Sequence, residues 1–138
     1  IESCTGGMIS AAITGVPGSS KVFDKGLITY SNESKVRILG VSGLTIEKHG
    51  AVSREVIREM AKSIVNSQKE KNHVTIATSG VAGPNQSEAK PVGLIWLASY
   101  RQNNLLVRKL NLGTISRNEI RNKTVFEALQ LLKKNLTF

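Results

Sequence analysis

The spacing of apolar residues changes several times along the chain of 138 residues. After Gly6-Gly7 they recur every three or four positions until the Gly- and Pro-containing segment GVPGSS, which predicts a short helix. A second helix is expected from Ser31 or Asn32 to Gly40, because serine and asparagine are favoured N-caps and glycine is favoured just after a helix.

Two further helices are expected nearer the C-terminus. One runs from Ser53 to about Gln68, where apolar residues follow a 3.6-residue period behind a serine N-cap. The other opens with Ser116 and Glu119, which have the spacing of a capping box, where each side chain bonds the other residue's backbone N–H. Its predicted buried stripe consists of Val125, Leu129, Leu132 and Leu136.

Strands are predicted between these helices. Leu27–Tyr30 has the pattern of a short strand, HVTIAT that of a buried strand, and LIWLASY and LLVRKLNL flank RQNN as in a hairpin. The segment SGVAGPNQSEAKPVG has no periodicity, and its length favours a functional loop over a mere connection. The mixed order of helices and strands indicates one layered α/β domain over residues 1–138.

Composition limits the partners of such a domain. Hydrophobic residues make up 40% of the chain, and no apolar run approaches the ~20 residues that span a bilayer, so no membrane partner is expected. The single cysteine, Cys4, cannot form an internal disulfide, which favours a reducing, cytoplasmic setting. The net charge of +9 suits an anionic ligand, but basic residues are scattered and aromatic residues make up only 4%, so nucleic acid is the weaker hypothesis.

Ser3 is the first candidate for chemistry. It precedes Gly6-Gly7 and the start of a predicted helix, where unpaired backbone N–H groups would point at one spot. A serine there is either a helix cap or a nucleophile beside an oxyanion site. Neither His49 nor His73 is an obvious partner for it, and two histidines without a cysteine or carboxylate cluster argue against a metal site.

Lys35 lies about one turn inside the second predicted helix and could replace histidine as the base, although most lysines on helices are simply solvated. An ordinary lysine pKa near ~10.4 means that keeping the amine neutral at pH 7 costs roughly 4–5 kcal/mol. A site that uses Lys35 as a base must therefore lower this pKa, by burial or by nearby positive charge.

Arg117 and Arg121 are four residues apart at the start of the last predicted helix and share one face. The helix dipole disfavours cations there, which favours an anionic partner, with a solvated face as the alternative. Tyr30, Thr5 and Ser79 are hydroxyl residues near predicted element ends, and each could be a cap, a surface residue or part of a site.

Six blocks carry a family resemblance: ESCTGG, YSNESK, LGV, HGAVS, SGVAGP and KPVG. In their order and spacing, from Glu2 to about Leu132, the chain resembles the CinA C-terminal domain, which also occurs as a stand-alone nicotinamide-nucleotide amidohydrolase. The resemblance implies a three-layer α/β/α sandwich with a mixed sheet. It also implies hydrolysis of the carboxamide of nicotinamide mononucleotide to nicotinate mononucleotide and ammonia, without a metal or cofactor.

The resemblance also implies residue roles. The catalytic residues that the resemblance implies are Ser3 and Lys35, which match the serine and lysine of the family mechanism, together with Tyr30, the tyrosine of the second block. We expect the phosphate of the nucleotide to engage Arg117 or Arg121, a hypothesis that rests on their charge. The full set of expected substrate-binding residues is Thr5, Gly6, Gly7, Ser79, Gly80, Arg117 and Arg121.

Some features depart from the family pattern. The loop is SGVAGPNQS where the family usually has TGIAGPGGG, so it lacks the glycine run. Family members usually carry a helix and a strand before ESCTGG, and we expect these to be missing from this chain. A homodimer is the expected assembly. The alternatives to an amidohydrolase are a nucleotide-binding module of a competence- or damage-inducible protein with little turnover, and a basic nucleic-acid-associated protein.

Overall fold

The computed structural model describes residues 1–65 and 72–137. A single 3-10 turn, Ser19–Lys21, follows the first helix. The helices and strands in chain order are α1 (Met8–Thr14), α2 (Asn32–Leu39), α3 (Gly43–His49), α4 (Arg54–Lys62), β1 (Thr75–Gly80), β2 (Leu94–Arg101), β3 (Asn104–Asn111) and α5 (Arg117–Leu136). None of the helices within these two ranges is both long and apolar enough to cross a bilayer.

The three strands form an antiparallel sheet in the order β1-β2-β3. Ala77 lies opposite Ala98 in the first pair, and Leu97 lies opposite Arg108 in the second. The predicted hairpin is confirmed, and its turn places Gln102 and Asn103 at φ 46° and 68°. Two consecutive positive φ values are typical of the tight turn that matches the twist of paired strands.

A parallel segment extends the sheet beyond β1. Glu2 forms parallel bridges with Thr78 of β1 on one side and with Ile28 on the other, so the sheet is mixed. The predicted strand Leu27–Tyr30 is therefore reduced to one bridge. The pairing is short because this segment lies at an edge of the sheet: Ile28 is 54% exposed, and within the described residues the segment pairs with the chain at Glu2 alone.

Helices cover both faces of the sheet. Apolar side chains of α2, α3 and α4 pack on one face against Ala77 and Ala98, and those of α1 and α5 pack on the other against Ile76 and Leu97. Successive strand residues point to opposite faces, which is why neighbours in β1 belong to different cores. The three-layer α/β/α fold class is confirmed.

Serine caps fix the starts of the helices that carry the site. Ser31, Ser53 and Ser116 accept hydrogen bonds from backbone N–H groups of the first turns of α2, α4 and α5, and Ser116 forms the predicted capping box with Glu119. Gly40 ends α2 in the left-handed conformation, as its position predicts. The third predicted helix ends earlier than expected, at Lys62, and Gln68 lies outside the described residues.

The buried stripe of α5 differs from the predicted one. Val125, Leu129 and Leu132 are only half-buried, and Leu136 is 51% exposed. The buried residues are Ile120, Thr124, Ala128, Leu131 and Asn135. The half-buried residues of the predicted stripe still pack against the core. The polar members of the buried face could not be found from hydrophobicity, because hydrogen bonds allow their burial: Thr124 donates to the Ile120 carbonyl, and the Asn135 amide donates to Ser99.

Candidate active site

Ser3 and Lys35 meet in the interior of the domain. Ser3 ends the parallel segment next to β1, and Lys35 projects from the first turn of α2 with only 1% of its surface exposed. The two side chains are hydrogen-bonded, with 3.2 Å between Lys35 Nζ and Ser3 Oγ. The amine also donates to the carbonyl oxygens of Thr29 (2.8 Å) and Tyr30 (3.0 Å). These contacts hold Nζ directly beside the serine hydroxyl.

Burial controls the protonation of this group. It lowers the pKa of Lys35 below the usual lysine value, because a desolvated ammonium is disfavoured, while the neighbouring Cys4 and Glu88 act in the opposite direction. Burial likewise raises the pKa of the neighbouring Cys4 thiol to about 11, which keeps it a neutral thiol near pH 7. Burial thus shifts the Lys35 amine beside Ser3 toward its uncharged form.

A pocket of about 240 Å³ opens onto this pair. The predicted site residues that line it are Ser3, Tyr30, Lys35, Ser79, Gly80 and Arg117. Thr5, Gly6, Gly7 and Arg121 lie outside this lining. A larger cavity of about 580 Å³ lies at the start of β1, where Phe23, His73 and Thr75 line it, and it contains none of the predicted site residues.

The two arginines of α5 contact different parts of the site. Arg117 Nη2 donates to the Tyr30 hydroxyl (3.1 Å) and its Nη1 donates to the Gly83 carbonyl (2.6 Å), so it bridges two walls of the pocket. Arg121 donates through Nε to the Cys4 carbonyl and through Nη2 to the Thr5 carbonyl, both at 3.1 Å. Arg121 therefore holds the segment that follows Ser3, and Arg117, one turn earlier in α5, contacts the pocket wall.

The start of α1 does not offer its N–H groups to Ser3. The carboxylate of Glu2, which is 1% exposed, accepts hydrogen bonds from the N–H groups of Gly7, Ile9 and Ser10 and from the Ser10 hydroxyl, at 2.8–3.0 Å. Burial acts to raise the pKa of Glu2, but hydrogen bonding by the Thr5 side chain, by the N–H groups of Ser10 and Ile9 and by the Ser10 hydroxyl lowers it below the ordinary value. The expectation that α1 points free donors at the serine is therefore corrected, because an adjacent buried carboxylate occupies them.

Glu2 was missed by the sequence reasoning. Its only signal was its position directly before Ser3, and an isolated glutamate beside an apolar segment gives no indication of burial. In the structure Glu2 anchors α1 to the segment that carries Ser3.

The loop after β1 is tied to the turn before α4. Glu88 accepts from the N–H groups of Ala51 (3.1 Å) and Val52 (3.4 Å), and Lys90 Nζ donates to the carbonyls of His49 and Val52. At the base of the loop, the Ser79 hydroxyl donates to the Ala51 carbonyl (2.9 Å). The predicted functional loop is thus a fixed wall of the pocket over residues 79–88.

The chain is similar in sequence to known proteins over nearly its whole length. The sequence model of the CinA family, described as the CinA C-terminal domain, matches residues 1–136. A protein of Alkaliphilus oremlandii named as competence-damage inducible is 46% identical over 136 residues, which cover 98% of this chain and 32% of that relative. The chain thus spans 32% of the length of the curated relative it matches.

Solved structures share the fold. The competence/damage inducible protein CihA from Agrobacterium tumefaciens superposes with a TM-score of 0.89 at 42% identity, over 96% of this chain and 81% of that one. The competence damage-inducible protein A (ComA) from Klebsiella pneumoniae gives a TM-score of 0.90 at 31% identity, over 99% and 83% of the two chains.

Proposed function

The chain belongs to the CinA C-terminal domain family, and from this premise we propose that it is an amidohydrolase acting on nicotinamide mononucleotide. The products would be nicotinate mononucleotide and ammonia. The observation that carries the proposal is the buried hydrogen bond of 3.2 Å between Lys35 Nζ and Ser3 Oγ at the floor of a pocket. A nucleophile within reach of a base of lowered pKa is the arrangement that acyl transfer requires.

The partners of Lys35 suit a neutral amine. Two carbonyl oxygens, of Thr29 and Tyr30, can only accept, so they take two N–H groups of Nζ. A neutral amine has two N–H groups and one lone pair, and the lone pair is then left for the Ser3 hydroxyl. The structure has Lys35 Nζ donating to Ser3 Oγ, and the proposed neutral form reverses this bond, so that the Ser3 O–H donates to Lys35 in the direction of proton transfer during attack.

The proposed reaction has two stages. Ser3 Oγ attacks the carboxamide carbon as its proton moves to Lys35, and Lys35 then gives that proton to the departing nitrogen, so that the C–N bond breaks and ammonia leaves. A nicotinoyl ester on Ser3 remains. Water, deprotonated by Lys35, attacks this ester, and the returned proton restores the Ser3 hydroxyl.

The carbonyl oxygen of the substrate needs hydrogen-bond donors as it gains charge. Because Glu2 occupies the N–H groups at the start of α1, we assign this role to the N–H group of Cys4, a residue that lines the pocket. Within residues 1–65 and 72–137 this N–H group donates to no other residue. Arg121 holds the carbonyls of Cys4 and Thr5, and so positions the peptide groups that follow Cys4.

Arg117 is the proposed phosphate ligand. It lines the pocket and carries a permanent charge at the N-terminus of α5, where an anion is favoured. Tyr30, whose side chain is 57% exposed and which accepts from Arg117, would contact the same end of the nucleotide. Arg121 donates to main-chain carbonyls and lies outside the pocket lining, which leaves Arg117 as the better of the two predicted arginines.

Ammonia release from nicotinamide mononucleotide tests the proposal. We expect turnover by the wild-type chain, and none by Ser3→Ala or Lys35→Met, while Ser20→Ala, at an exposed position, retains activity. Both inactive variants should still bind the nucleotide, because neither residue is proposed to hold the phosphate. Retained turnover in Lys35→Met would remove the lysine from the mechanism, and absence of ammonia from the wild type would exclude the activity.

A second function is a nucleotide-binding module with little turnover. The observation that favours it is the loop sequence SGVAGPNQS, which lacks the glycine run usual in the CinA C-terminal domain family. This loop instead contributes Asn85 and Ser87 to the pocket. Calorimetric binding of nicotinamide mononucleotide to the wild-type chain without ammonia release would support this alternative.

A further inference from the structure

Glu88 places a carboxylate on the pocket wall. It belongs to a tight turn in which Ser87 and Lys90 exchange backbone hydrogen bonds, and Glu88 and Ala89 have φ values of 53° and 56°. The Glu88 oxygens accept from two N–H groups of the turn before α4, and the side chain remains 29% exposed. Backbone donors therefore orient the carboxylate, while one side of it stays open to the pocket.

The neighbouring main chain is shaped around this group. A Cβ atom at Gly50 would lie 2.6 Å from Glu88 Oε2 and 2.6 Å from Lys90 Nζ, so both side-chain ends would have to shift, and the φ of 78° at Gly50 independently favours glycine. Lys90 Nζ lies 3.8 Å from Glu88 Oε2, and its short contacts are to the carbonyls of His49 and Val52. Lys90 is outside the pocket lining, so the pocket meets the carboxylate and not its partner.

The charges that line the pocket are few. In the described chain they belong to Lys35, Glu88 and Arg117. With Lys35 neutral, the pocket has one acidic group, anchored on the turn before α4, and one basic group, anchored on Tyr30 and Gly83. Such a pocket matches a zwitterionic ligand whose cation and anion occupy separate ends.

We propose that Glu88 is a specificity-determining residue that selects a positively charged ring, so that the site takes oxidised pyridinium nucleotides in preference to neutral dihydropyridine nucleotides. This inference rests on the proposed function. It names a preference that Ser3 and Lys35 do not provide, because those two residues address the carboxamide, which both ligand classes carry.

The experiment compares two ligands of nearly equal shape, nicotinamide mononucleotide and its reduced form, whose ring is uncharged. Dissociation constants are measured in the Ser3→Ala background, where the ligands stay intact, for Ser3→Ala alone and for its combinations with Glu88→Gln, Glu88→Asp and Lys90→Gln. The preference for the oxidised form is expected to fall about ten-fold in Glu88→Gln, the size expected of one partly exposed charge pair.

The other variants separate charge from anchoring. Glu88→Asp keeps the charge while disturbing the backbone hydrogen bonds, and Lys90→Gln loosens the same turn while leaving the carboxylate, so both are expected to retain the preference. A merely structural role would weaken both ligands equally and leave their ratio unchanged. An unchanged ratio in Glu88→Gln, or an equal loss of preference in Lys90→Gln, overturns the inference.

Two further readouts keep the result decisive. If thermal melting shows that Glu88→Gln does not fold, the ratio of the two dissociation constants in Ser3→Ala is measured at increasing sodium chloride concentration. A preference for the oxidised form that shrinks with salt supports the inference, and a constant preference overturns it.

Ammonia release by the wild type is recorded in parallel. Turnover with an unchanged ratio removes Glu88 alone, whereas absence of both turnover and binding removes the proposed function and the inference with it.

Discussion

Arg117 joins the start of α5 to Tyr30, through a hydrogen bond of 3.1 Å from its Nη2 to the tyrosine hydroxyl. The residues are 87 positions apart in the chain, and the second donor of the same guanidinium reaches the Gly83 carbonyl. The Arg117 side chain thus connects the start of α5 to Tyr30, which precedes the N-cap of α2, and to Gly83 in the loop after β1. Its partners are a phenol and a carbonyl, so its positive charge is not neutralised by an acid among them.

Replacement of Arg117 should weaken binding of the phosphate. In Arg117→Gln we expect KM for nicotinamide mononucleotide to rise about ten-fold or more with a smaller change in kcat, because a charge-assisted contact to the phosphate is lost. KM for nicotinamide riboside, which lacks the phosphate, should stay near the wild-type value. Arg37→Gln, at an exposed position on α2, is the control. Equal effects on both substrates would remove Arg117 from the phosphate site.

Replacement of Arg121 should act on stability. Arg121→Gln loses the hydrogen bonds to the Cys4 and Thr5 carbonyls, and we expect the free energy of unfolding to fall by about 1–3 kcal/mol. Urea unfolding measures this change, and kcat should fall with it because the peptide groups after Ser3 lose their support. A variant with wild-type stability would show that these two contacts do not hold the segment.

The buried Glu2 offers a third test. In Glu2→Gln the amide cannot accept at both ends, so at least one N–H group at the start of α1 loses its acceptor and the free energy of unfolding should fall by about 1–3 kcal/mol. Glu33→Gln, at an exposed position of α2, is the matched control and should change stability little. Equal stability of the two variants would contradict an anchoring role for Glu2.

The lowered pKa of Lys35 makes stability depend on pH. Because the folded state releases this proton at lower pH than the unfolded chain, the unfolded chain binds more protons between the two pKa values, and stability rises with pH across that window. Below the folded-state pKa the penalty of burying the ammonium is constant. The difference in free energy of unfolding between wild type and Lys35→Met should therefore increase from neutral pH toward the ordinary lysine value of 10.5.

Denaturant unfolding at several pH values measures this difference, and Lys48→Met, at an exposed position, controls for the loss of a lysine. A difference that stays constant with pH, or that decreases, would show that Lys35 keeps its proton in the folded state.

Local chemistry made part of the fold predictable. Ser31, Ser53, Ser116 and Gly40 act as caps where their residue types place them, because capping depends on backbone groups within one turn. The hairpin at Gln102 and Asn103 follows from similarly local preferences. The α/β/α layering follows from the order of the periodic segments.

Burial of polar residues could not be predicted in the same way. Lys35, Glu2 and Asn135 are each about 1% exposed, although their residue types are typical of surfaces. Each is buried because partners distant in sequence, or from a neighbouring element, satisfy its hydrogen bonds. A hydrophobic pattern carries no information on such partners, which is why the predicted buried stripe of α5 did not include Asn135.

In the candidate site, too, local features were predictable and contacts between distant residues were not. From the residues alone Lys35 was one possible base for Ser3, with a solvated lysine as the alternative, and the family resemblance decided between them, since the residues are 32 positions apart and no periodicity connects them. The hydrogen bonds of Glu88 and Lys90 to the turn before α4 join residues that are 36–41 positions apart, and no sequence pattern predicted them. Arg117 and Arg121 were correctly placed on one helix face. Their different partners depend on how α5 packs against the loop after β1 and against the segment that carries Ser3.

The protonation state of Lys35 is the measurement that decides the mechanism. Lysines labelled with ¹³C at Cε are titrated by NMR, with Lys35→Met used to assign the resonance, both free and with nicotinamide mononucleotide bound to the Ser3→Ala variant. We predict that the Lys35 signal loses its proton below the ordinary lysine pKa of about 10.4, and that the neutral form is populated at the pH of turnover. A signal that remains fully ammonium up to that value in both states would contradict the Ser3/Lys35 mechanism.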